Sequence, residues 1–412
     1  MSYSVSIDPI DTVKPFGNNP RQITPDAIAK VAKSIELYGF RSPIVVDDDR
    51  IILAGHTRLL AAQKLGLSEV PVHVASGLSK SKKRAYRLAD NRSAEESRWD
   101  FPMLTEELGE LMDDGFDLAD TLFDPSELAN LFPDEPIEGL TEDDEVPEMV
   151  EEAVTVEGDI WQLGSHRLIC GDSTSADVIE KLMDGARADM VFTDPPYNID
   201  YGNIKHPKFK IRNIENDNMS SDDFSDFCAA FASVIKIFCD GCVYVFGPPA
   251  ADGRIMFSQL DKALHCSTTI VWNKDQFTLG RGKYQNKYEP CWFGWNKSGA
   301  AFIDDRKLTN VWDFARPKAS KLHPTMKPVE LVENAIGHAS NVGAIVLDLF
   351  GGSGSTMIAC EKTSRVCRMS ELTPNYCDVI INRWQNFTGK NAVLLSTDET
   401  FDALKEQRCK AA

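Results

Sequence analysis

The segment AIVLDLFGGSGSTMIACEK, residues 344–362, predicts an apolar strand, a glycine-rich turn and a helix in direct succession. Gly351, Gly352 and Gly354 let the backbone turn sharply and approach a ligand closely, and the N-terminus of the following helix is electropositive. The turn is not a phosphate-binding P-loop, because no Gly-Lys-Ser/Thr follows it. Taken alone, it is compatible with a dinucleotide site or with a packing turn.

Strand and helix patterns alternate around this segment throughout residues 156–412. The strand candidates are 166–172, 188–194, 242–247, 267–274, 289–296 and 344–350, and helical periodicity covers 222–238 and 328–339. Such alternation predicts an α/β domain with a mostly parallel sheet. Because ligands of such sheets bind at the carboxyl ends of the strands, residues that follow a strand are the candidate site residues.

The tetrapeptide Asp194-Pro195-Pro196-Tyr197 follows the strand predicted at 188–194. An exocyclic amino group of a base is a poor nucleophile, because its lone pair is delocalised into the ring. The Asp194 carboxylate and the Pro195 carbonyl could accept its two N–H groups and free that lone pair, and the prolines fix φ around the carbonyl. Tyr197 could stack on a base flipped out of the duplex. A proline-rich structural turn is the alternative interpretation.

Two acidic residues follow other predicted strands. Glu371 closes a strand about 20 residues after the glycine-rich turn, where a carboxylate can accept both hydroxyls of a ribose. Asp172 follows the strand at 166–172 and could accept from an adenine-like amino group or cap a turn.

The net charge of −19 is unevenly distributed and does not exclude a nucleic-acid partner. Residues 91–160 contain 2 Lys+Arg and 24 Asp+Glu, whereas residues 1–90 contain 13 and 9, and residues 161–412 contain 29 and 30. No run of about 18 apolar residues and no secretory signal occurs, which predicts a cytoplasmic protein. The ten cysteines are scattered, and Cys239 and Cys242 lack the second pair of a zinc site, so no metal site is predicted.

At these motifs the sequence resembles the amino-group DNA methyltransferases that modify N6 of adenine or N4 of cytosine. The resemblance covers about 160–390 and rests on CGDS (170–173), FTDPPYN (192–198), VWNKDQFTLGRGKYQNKYEP (271–290), HPTMKP (323–328), LDLFGGSGST (347–356) and ELTPNYCDVIINRWQNFTG (371–389). The motif order is that of the β class. It implies a Rossmann-like methyltransferase fold with S-adenosylmethionine as cofactor.

The same resemblance implies roles for individual residues. It assigns the cofactor to Phe350, Gly351, Gly352 and Gly354, with Asp348 nearby, Glu371 on the ribose, Asp172 at the adenine and Lys327 at the amino-acid end. DPPY in place of SPPY favours adenine as the target, with N4-cytosine as the alternative. The implied partner is double-stranded DNA, and a homodimer is plausible for the β class.

Target recognition in β-class relatives lies between DPPY and HPTMKP, here about 200–322. Basic residues in that part, which can neutralise phosphates and read guanine edges, are the candidate DNA contacts. They are Lys205, Lys208, Lys210, Arg212, Lys274, Arg281, Lys283 and Lys287.

Residues 8–92 resemble the ParB/sulfiredoxin-like domain, which implies a small α+β fold. In that superfamily the segment with Gly55, His56 and Arg58 forms part of a nucleotide- or phosphate-binding site. DNA docking is the first expectation for this domain, nucleotide binding or hydrolysis the second and an inert scaffold the third. A non-catalytic DNA-binding regulator is the rival function for the whole chain.

The predicted domain organisation has four parts. They are a ParB-like domain at 1–92, an acidic helical connector and flexible linker at 93–155, a methyltransferase domain at 156–395 and a tail at 396–412.

Overall fold

The computed structural model describes residues 4–17, 23–95, 101–132, 138–149, 152–198, 218–278, 283–297, 308–317 and 326–408. The chain divides into two compact units, Met1–Pro133 and Asp134–Ala412. Over the described ranges, no helix combines the length and the apolar character needed to cross a membrane.

The first unit contains a small mixed sheet in the order β1-β4-β2-β3. Its strands are β1 (Ser6–Pro9), β2 (Ile44–Val46), β3 (Ile52–Ala54) and β4 (Glu69–Val74). Its α-helices are α1 (Pro25–Tyr38), α2 (His56–Lys64), α3 (Lys80–Glu95), α4 (Phe101–Asp113) and α5 (Pro125–Leu131). Strand β2 pairs in parallel with β4 and antiparallel with β3. This arrangement is the small α+β fold predicted for the N-terminal part.

Helix α1 illustrates why the local sequence predicts its elements well. The Thr24 side chain accepts the Ala27 N–H at 3.2 Å, and Pro25 occupies the first turn, where no intrahelical N–H bond is lost. Gly39 ends the helix with φ of 77°, and its N–H donates to the Ile35 carbonyl. The core beneath is formed by Val13, Ile44, Val46, Ile52, Leu59, Ala62, Val70 and Val72.

The second unit is built on a ten-stranded sheet in the order β11-β9-β10-β8-β7-β12-β13-β6-β5-β14. The strands are β5 (Ile160–Leu163), β6 (His166–Cys170), β7 (Ala188–Thr193), β8 (Cys239–Phe246), β9 (His265–Thr278), β10 (Asn286–Trp295), β11 (Val311–Asp313), β12 (Ile345–Asp348), β13 (Val366–Glu371) and β14 (Val393–Leu394). The helices are α6 (Ala176–Met183), α7 (Ser221–Phe238), α8 (Ala251–Ala263), α9 (Val329–Ala339), α10 (Ser355–Lys362), α11 (Pro374–Thr388) and α12 (Phe401–Arg408).

The middle of this sheet is parallel, as predicted, and its flanks are antiparallel except for the parallel pair of β11 and β9. Strands β8, β7, β12, β13 and β6 pair in parallel. Strand β10 runs antiparallel to β8 and β9, and β5 runs antiparallel to β6 and β14. Short connections join β5 to β6 and β9 to β10, and a short connection can only produce an antiparallel pair.

Helices cover both faces of the sheet. Within β7, Met190 and Phe192 belong to the core under α9, α10 and α11, whereas Val191 belongs to the core under α6, α7 and α8. Alternate residues of a strand face opposite sides, so a central strand of this kind is apolar on both faces. The second unit is therefore the doubly wound, Rossmann-like α/β domain that the sequence predicted.

Part of the acidic stretch differs from the predicted flexible linker, because residues 138–149 and 152–156 pack within the second unit. Asp143 pairs with Lys362 at 2.5 Å, and the Asp144 carboxylate accepts the Val329 N–H at the start of α9. The Asp378 carboxylate accepts the N–H groups of Val154 and Thr155. Specific ion pairs and helix-end hydrogen bonds therefore order sequence whose composition alone indicated a solvated linker.

Candidate active site

Four neighbouring strands bring the predicted site residues to one edge of the sheet. Strands β7, β12, β13 and β6 are consecutive and parallel, so their carboxyl ends lie side by side. Asp194 follows β7, the glycine-rich turn follows β12, Glu371 ends β13 and Asp172 follows β6. The chain leaves β7 toward β8 and leaves β12 toward β13, in opposite directions. The site therefore lies at a topological switch point, where doubly wound sheets bind ligands.

The side chains of Asp194 and Tyr197 form a polar cluster with three residues from elsewhere in the chain. The Tyr197 hydroxyl donates to Asp194 Oδ1 at 2.7 Å, and Lys327 Nζ donates to Asp194 Oδ2 at 2.5 Å. Glu289 Oε2 lies 3.0 Å from Lys327 Nζ and 3.2 Å from the Tyr197 hydroxyl. Lys274 Nζ donates to the other oxygen of Glu289. Two carboxylates, two ammonium groups and one phenol thus share one network.

Aromatic walls surround this cluster and keep water from most of it. Lys327 Nζ lies 4.9 Å from the Phe246 ring centroid and 5.9 Å from that of Trp272. The Lys327 side chain is 4% exposed, whereas the Asp194 side chain is 26% exposed. Asp194 is therefore the most exposed carboxylate of the cluster and the one that a ligand can reach most easily.

Burial and charge pairing determine the ionisation of the cluster. Burial raises the pKa of Asp194; the positive charge of Lys327 offsets part of this effect, while Glu289 adds to it. Burial also opposes the ionisation of Glu289, but Lys327 and Lys274 outweigh it and lower the pKa of Glu289 to about 2. Burial would lower the pKa of Lys327, and the two carboxylates raise it instead. Glu289 and Lys327 therefore stay charged at neutral pH.

The glycine-rich turn makes direct contact with Glu371. The Gly352 N–H donates to Glu371 Oε2 at 2.8 Å, and the Thr373 N–H donates to Oε1 at 2.9 Å. Gly352 and Gly354 have φ of 52° and 84°, which side-chain-bearing residues rarely adopt. Glu371 is only partly buried, so a ligand can still reach its carboxylate. This arrangement fits a vicinal diol such as that of a ribose, beside the positive N-terminus of α10.

Two residues predicted at the cofactor support the turn from behind. The Asp348 carboxylate is 3% exposed and accepts the hydroxyls of Thr193 at 2.8 Å and Thr356 at 2.6 Å. Burial raises the pKa of Asp348 to about 7. The Phe350 ring packs edge-to-face on Phe231 of α7.

Asp172 is exposed, and its carboxylate accepts the N–H and the hydroxyl of Thr174. The Gly171 N–H donates to the Glu371 carbonyl, so Asp172 follows a residue bonded to β13. Lys327 directs its ammonium group to Asp194 rather than to the turn, although its carbonyl accepts the Ser355 hydroxyl at the start of α10. Lys327 thereby connects the tetrapeptide with the turn.

Sequence reasoning missed Glu289 and placed Lys274 among the DNA contacts, whereas the structure buries Lys274 in an ion pair with Glu289. The alternation along β9 carried a signal, since Ile270, Trp272 and Lys274 are all buried on one face. Asn198 was also missed: its side chain binds the backbone N–H and carbonyl of Met219 and fixes the end of the tetrapeptide to residue 219.

Lys283 and Lys287 are exposed, next to Tyr284, which is 93% exposed. The other predicted DNA contacts, Lys205, Lys208, Lys210, Arg212 and Arg281, lie outside the described residues.

The predicted phosphate segment of the first unit begins α2. Gly55 precedes the helix with φ of 102°. His56 Nε2 accepts the Phe16 N–H at 3.2 Å, and Arg58 donates to the Pro43 carbonyl. Arg58 lines a cavity of about 260 Å³ together with Lys30 and Arg41. The segment therefore lies beside a basic cavity, although His56 is engaged by the backbone.

Three family models match the chain. Residues 188–383 match the N6/N4 DNA methylases, residues 3–92 the ParB N-terminal domain and residues 102–157 the ParB-methyltransferase HTH domain. The last match covers the acidic region that composition indicated to be a connector.

Similar proteins include the ParB-like nuclease domain-containing protein YnaK of Escherichia coli (strain K12), 34% identical over 18% of this chain and 87% of that protein. The Type II methyltransferase M.HpaI of Haemophilus parainfluenzae is 26% identical over 55% of this chain and 77% of its own length. Among solved structures, the M1.HpyAVI–SAM complex is 21% identical and covers 52% of this chain and 98% of that chain, with a TM-score of 0.39. The family models and the sequence relatives agree with the arrangement of the strand ends. The chain therefore contains an N6/N4 DNA methylase domain, matched over residues 188–383, and a ParB N-terminal domain, matched over residues 3–92.

Proposed function

We propose that this DNA methylase transfers a methyl group from S-adenosylmethionine to the N6 amino group of adenine in double-stranded DNA. The observation that carries the proposal is the partly exposed Asp194 carboxylate, held by Tyr197 and Lys327 at the strand end next to the glycine-rich turn. S-adenosylmethionine supplies the methyl group when bound.

The geometry suits activation of an amine. Each oxygen of Asp194 receives one hydrogen bond from within the cluster, so about two of its acceptor positions remain for an N–H of the substrate. The Pro195 carbonyl is the second acceptor in this proposal. An amine that gains a methyl group sheds a proton, and the Asp194 carboxylate is the base proposed to take it. No covalent enzyme intermediate is required.

The glycine-rich turn and Glu371 are the proposed cofactor site. Glu371 is fixed by two backbone N–H groups and is partly exposed, and it is proposed to accept from the ribose hydroxyls. Arg383, which is 2% exposed, donates to the Ser353 carbonyl at 2.9 Å and so holds the turn in place. Asp172, on the adjacent strand end, is proposed to accept from the adenine of the cofactor.

Adenine is the proposed target because the tetrapeptide begins with aspartate, and N4 of cytosine is the alternative. Exposed basic residues near Tyr284 are proposed to contact DNA, and the ParB domain is proposed to dock on it. The homodimer and the cytoplasmic location implied by the sequence stay predictions.

The proposal is tested with unmethylated duplex DNA and S-adenosylmethionine labelled on its methyl group. Asp194→Asn keeps the shape of the side chain but replaces one acceptor by an N–H₂ donor, so we expect methyl transfer to fall by at least about 100-fold. Asp402→Asn, an exposed change on α12, is the matched control and should keep full activity.

Analysis of the nucleosides after digestion identifies the methylated base. Detection of N6-methyladenine supports the proposal. Detection of N4-methylcytosine would overturn adenine as the target base but would leave the assignment of the active site at Asp194 unchanged. Absence of label in DNA with the unaltered protein, or full activity of Asp194→Asn, would overturn the proposed function.

A further inference from the structure

Glu289 occupies the centre of the polar cluster without belonging to the tetrapeptide or the cofactor site. It lies on β10 directly opposite Trp272 of β9. Its Oε1 accepts from Lys274, and its Oε2 lies within hydrogen-bond distance of both Lys327 Nζ and the Tyr197 hydroxyl. Glu289 therefore contacts both groups that hold Asp194.

Charge in this cluster is balanced and largely shielded from solvent. The side chains of Glu289, Lys274 and Lys327 are 15%, 9% and 4% exposed. Charges at such depth are screened weakly, and breaking one buried pair leaves its partner uncompensated. Among the described residues, Lys274 forms no hydrogen bond or ion pair with Asp194. It acts on Asp194 through Glu289 and Lys327.

We infer that Glu289, anchored by Lys274, is a positioning residue that divides Lys327 between two carboxylates and thereby sets how strongly Asp194 can accept the substrate amine. The inference rests on the proposed function, because it concerns the same Asp194. A Lys327 bound to Asp194 alone would form a tighter pair, and the carboxylate would be a weaker acceptor and a weaker base.

The signs of the two possible disturbances are opposite. Without the negative charge of Glu289, Lys327 pairs with Asp194 alone and the cluster has a net positive charge, so the Asp194 carboxyl group deprotonates at lower pH. Without the positive charge of Lys274, the charge of Glu289 is uncompensated and also draws Lys327 away, so Asp194 deprotonates at higher pH. Nearby charges of either sign shift a pKa in this manner.

Other titratable groups face the cluster, but they cannot cause the pKa of Asp194 to shift in opposite directions in the Glu289 and Lys274 variants. Burial raises the pKa of the Cys291 thiol well above its usual value, so it stays neutral. Burial likewise raises the pKa of Tyr197 well above its usual value. Asp348 lies behind Thr193, and neither Glu289 nor Lys274 contacts its carboxylate among the described residues.

The experiment measures kcat/KM of methyl transfer against pH for the full chain and for Glu289→Gln, Lys274→Met and Lys274→Gln. The acid limb reports the protonation of the free enzyme, here of the coupled cluster. We expect it to move down by about one pH unit in Glu289→Gln and up by about one unit in the Lys274 variants. We also expect kcat of Glu289→Gln to fall about tenfold or more, with a smaller change in KM.

The double variant Glu289→Gln/Lys274→Met removes one charge of each sign and should return the acid limb to within a few tenths of a unit of its original position. Asp240→Asn, which removes a carboxylate of β8 paired with Arg187 and Lys297 outside the cluster, should leave the limb unchanged. Thermal unfolding establishes that each variant is folded. The direction in which the acid limb moves can be read from Glu289→Gln alone or from either Lys274 variant alone, so one folded variant is enough.

The inference would be overturned if the acid limb moved in the same direction in Glu289→Gln and in the Lys274 variants. It would also be overturned if the acid limb did not move and kcat stayed intact. Absence of methyl transfer in the unaltered protein would instead overturn the proposed function, so the two failures are distinguishable.

Discussion

Single side chains at the strand ends have roles that depend on how many of their polar positions the protein itself occupies. The Asp348 carboxylate accepts three hydrogen bonds, from the hydroxyls of Thr193 and Thr356 and from the Phe350 N–H, and it is 3% exposed. Glu371 receives two backbone N–H groups and is only partly buried. Both follow the sequence pattern of cofactor residues, but its greater exposure makes Glu371 the stronger candidate for direct contact with the cofactor.

Replacement of Glu371 by glutamine should weaken cofactor binding. An amide has only one acceptor oxygen, and its N–H₂ group would face the Gly352 or Thr373 N–H. The affinity falls because a ribose hydroxyl loses its charged acceptor, which costs about 1.5–3 kcal/mol and corresponds to an affinity loss of about 10- to 150-fold.

Calorimetric titration with S-adenosylhomocysteine measures the effect. Glu330→Gln, an exposed change on α9, is the control and should bind normally. Unchanged affinity of Glu371→Gln would contradict the assignment of Glu371 to the cofactor.

At the scale of the elements, the ten-stranded sheet contains two close backbone approaches, both at the end of the sheet opposite the site. Gly241 in β8 lies against β7 at a register shift between Ala188 and Met190. A Cβ on Gly241 would lie 1.8 Å from the Asp189 carbonyl oxygen. Gly294 in β10 has a similar contact with the His265 carbonyl of β9, again at a register shift. The second register shift lies in β9 and β10, the strands that carry Lys274 and Glu289.

Alanine substitutions at two glycines should therefore change stability in opposite directions. Gly241→Ala forces backbone atoms of β7 and β8 apart and should destabilise the second unit by about 1–3 kcal/mol. Gly337 lies within α9 with open space at its Cβ position, so Gly337→Ala should stabilise the unit by about 0.5–1 kcal/mol. Urea unfolding of the full chain measures both, and a stable Gly241→Ala protein would contradict the close approach.

On the scale of the whole molecule, the chain has separate hydrophobic cores in its two units. One core lies under the four-stranded sheet of the first unit. The ten-stranded sheet of the second unit has one core on each of its two faces. Units with their own cores can unfold independently. The acidic stretch at 138–149 belongs to the second unit through Asp143 and Asp144, so the division lies near residue 133 rather than at residue 155.

Two unfolding transitions should accordingly appear in differential scanning calorimetry of the full chain. S-adenosylhomocysteine at about 100 times its Kd should stabilise only the transition of the second unit, by about 2.7 kcal/mol, which raises its midpoint by several degrees. Duplex DNA should raise the other transition if the ParB domain docks on it. A single transition that moves with either ligand would contradict independent units.

The sequence by itself determined the α/β class, the parallel centre of the sheet and the meeting of Asp194, the glycine-rich turn, Glu371 and Asp172. These follow from local periodicity and from the rule that strand ends carry the site, because each motif immediately follows its own strand. The N-terminal α+β fold was likewise predictable from caps and strand patterns such as those of α1.

Only the tertiary structure decided the surroundings of that site. Lys274 and Glu289 meet Lys327 because β10 pairs antiparallel with β8, β9 pairs antiparallel with β10, and Lys327 itself precedes α9. The pairing of Asp143 with Lys362 likewise joins residues far apart in the chain. Local sequence patterns indicate which face of a strand or helix a side chain lies on. The side chains that it meets from distant segments depend on the strand order, and the strand order is determined by non-local packing.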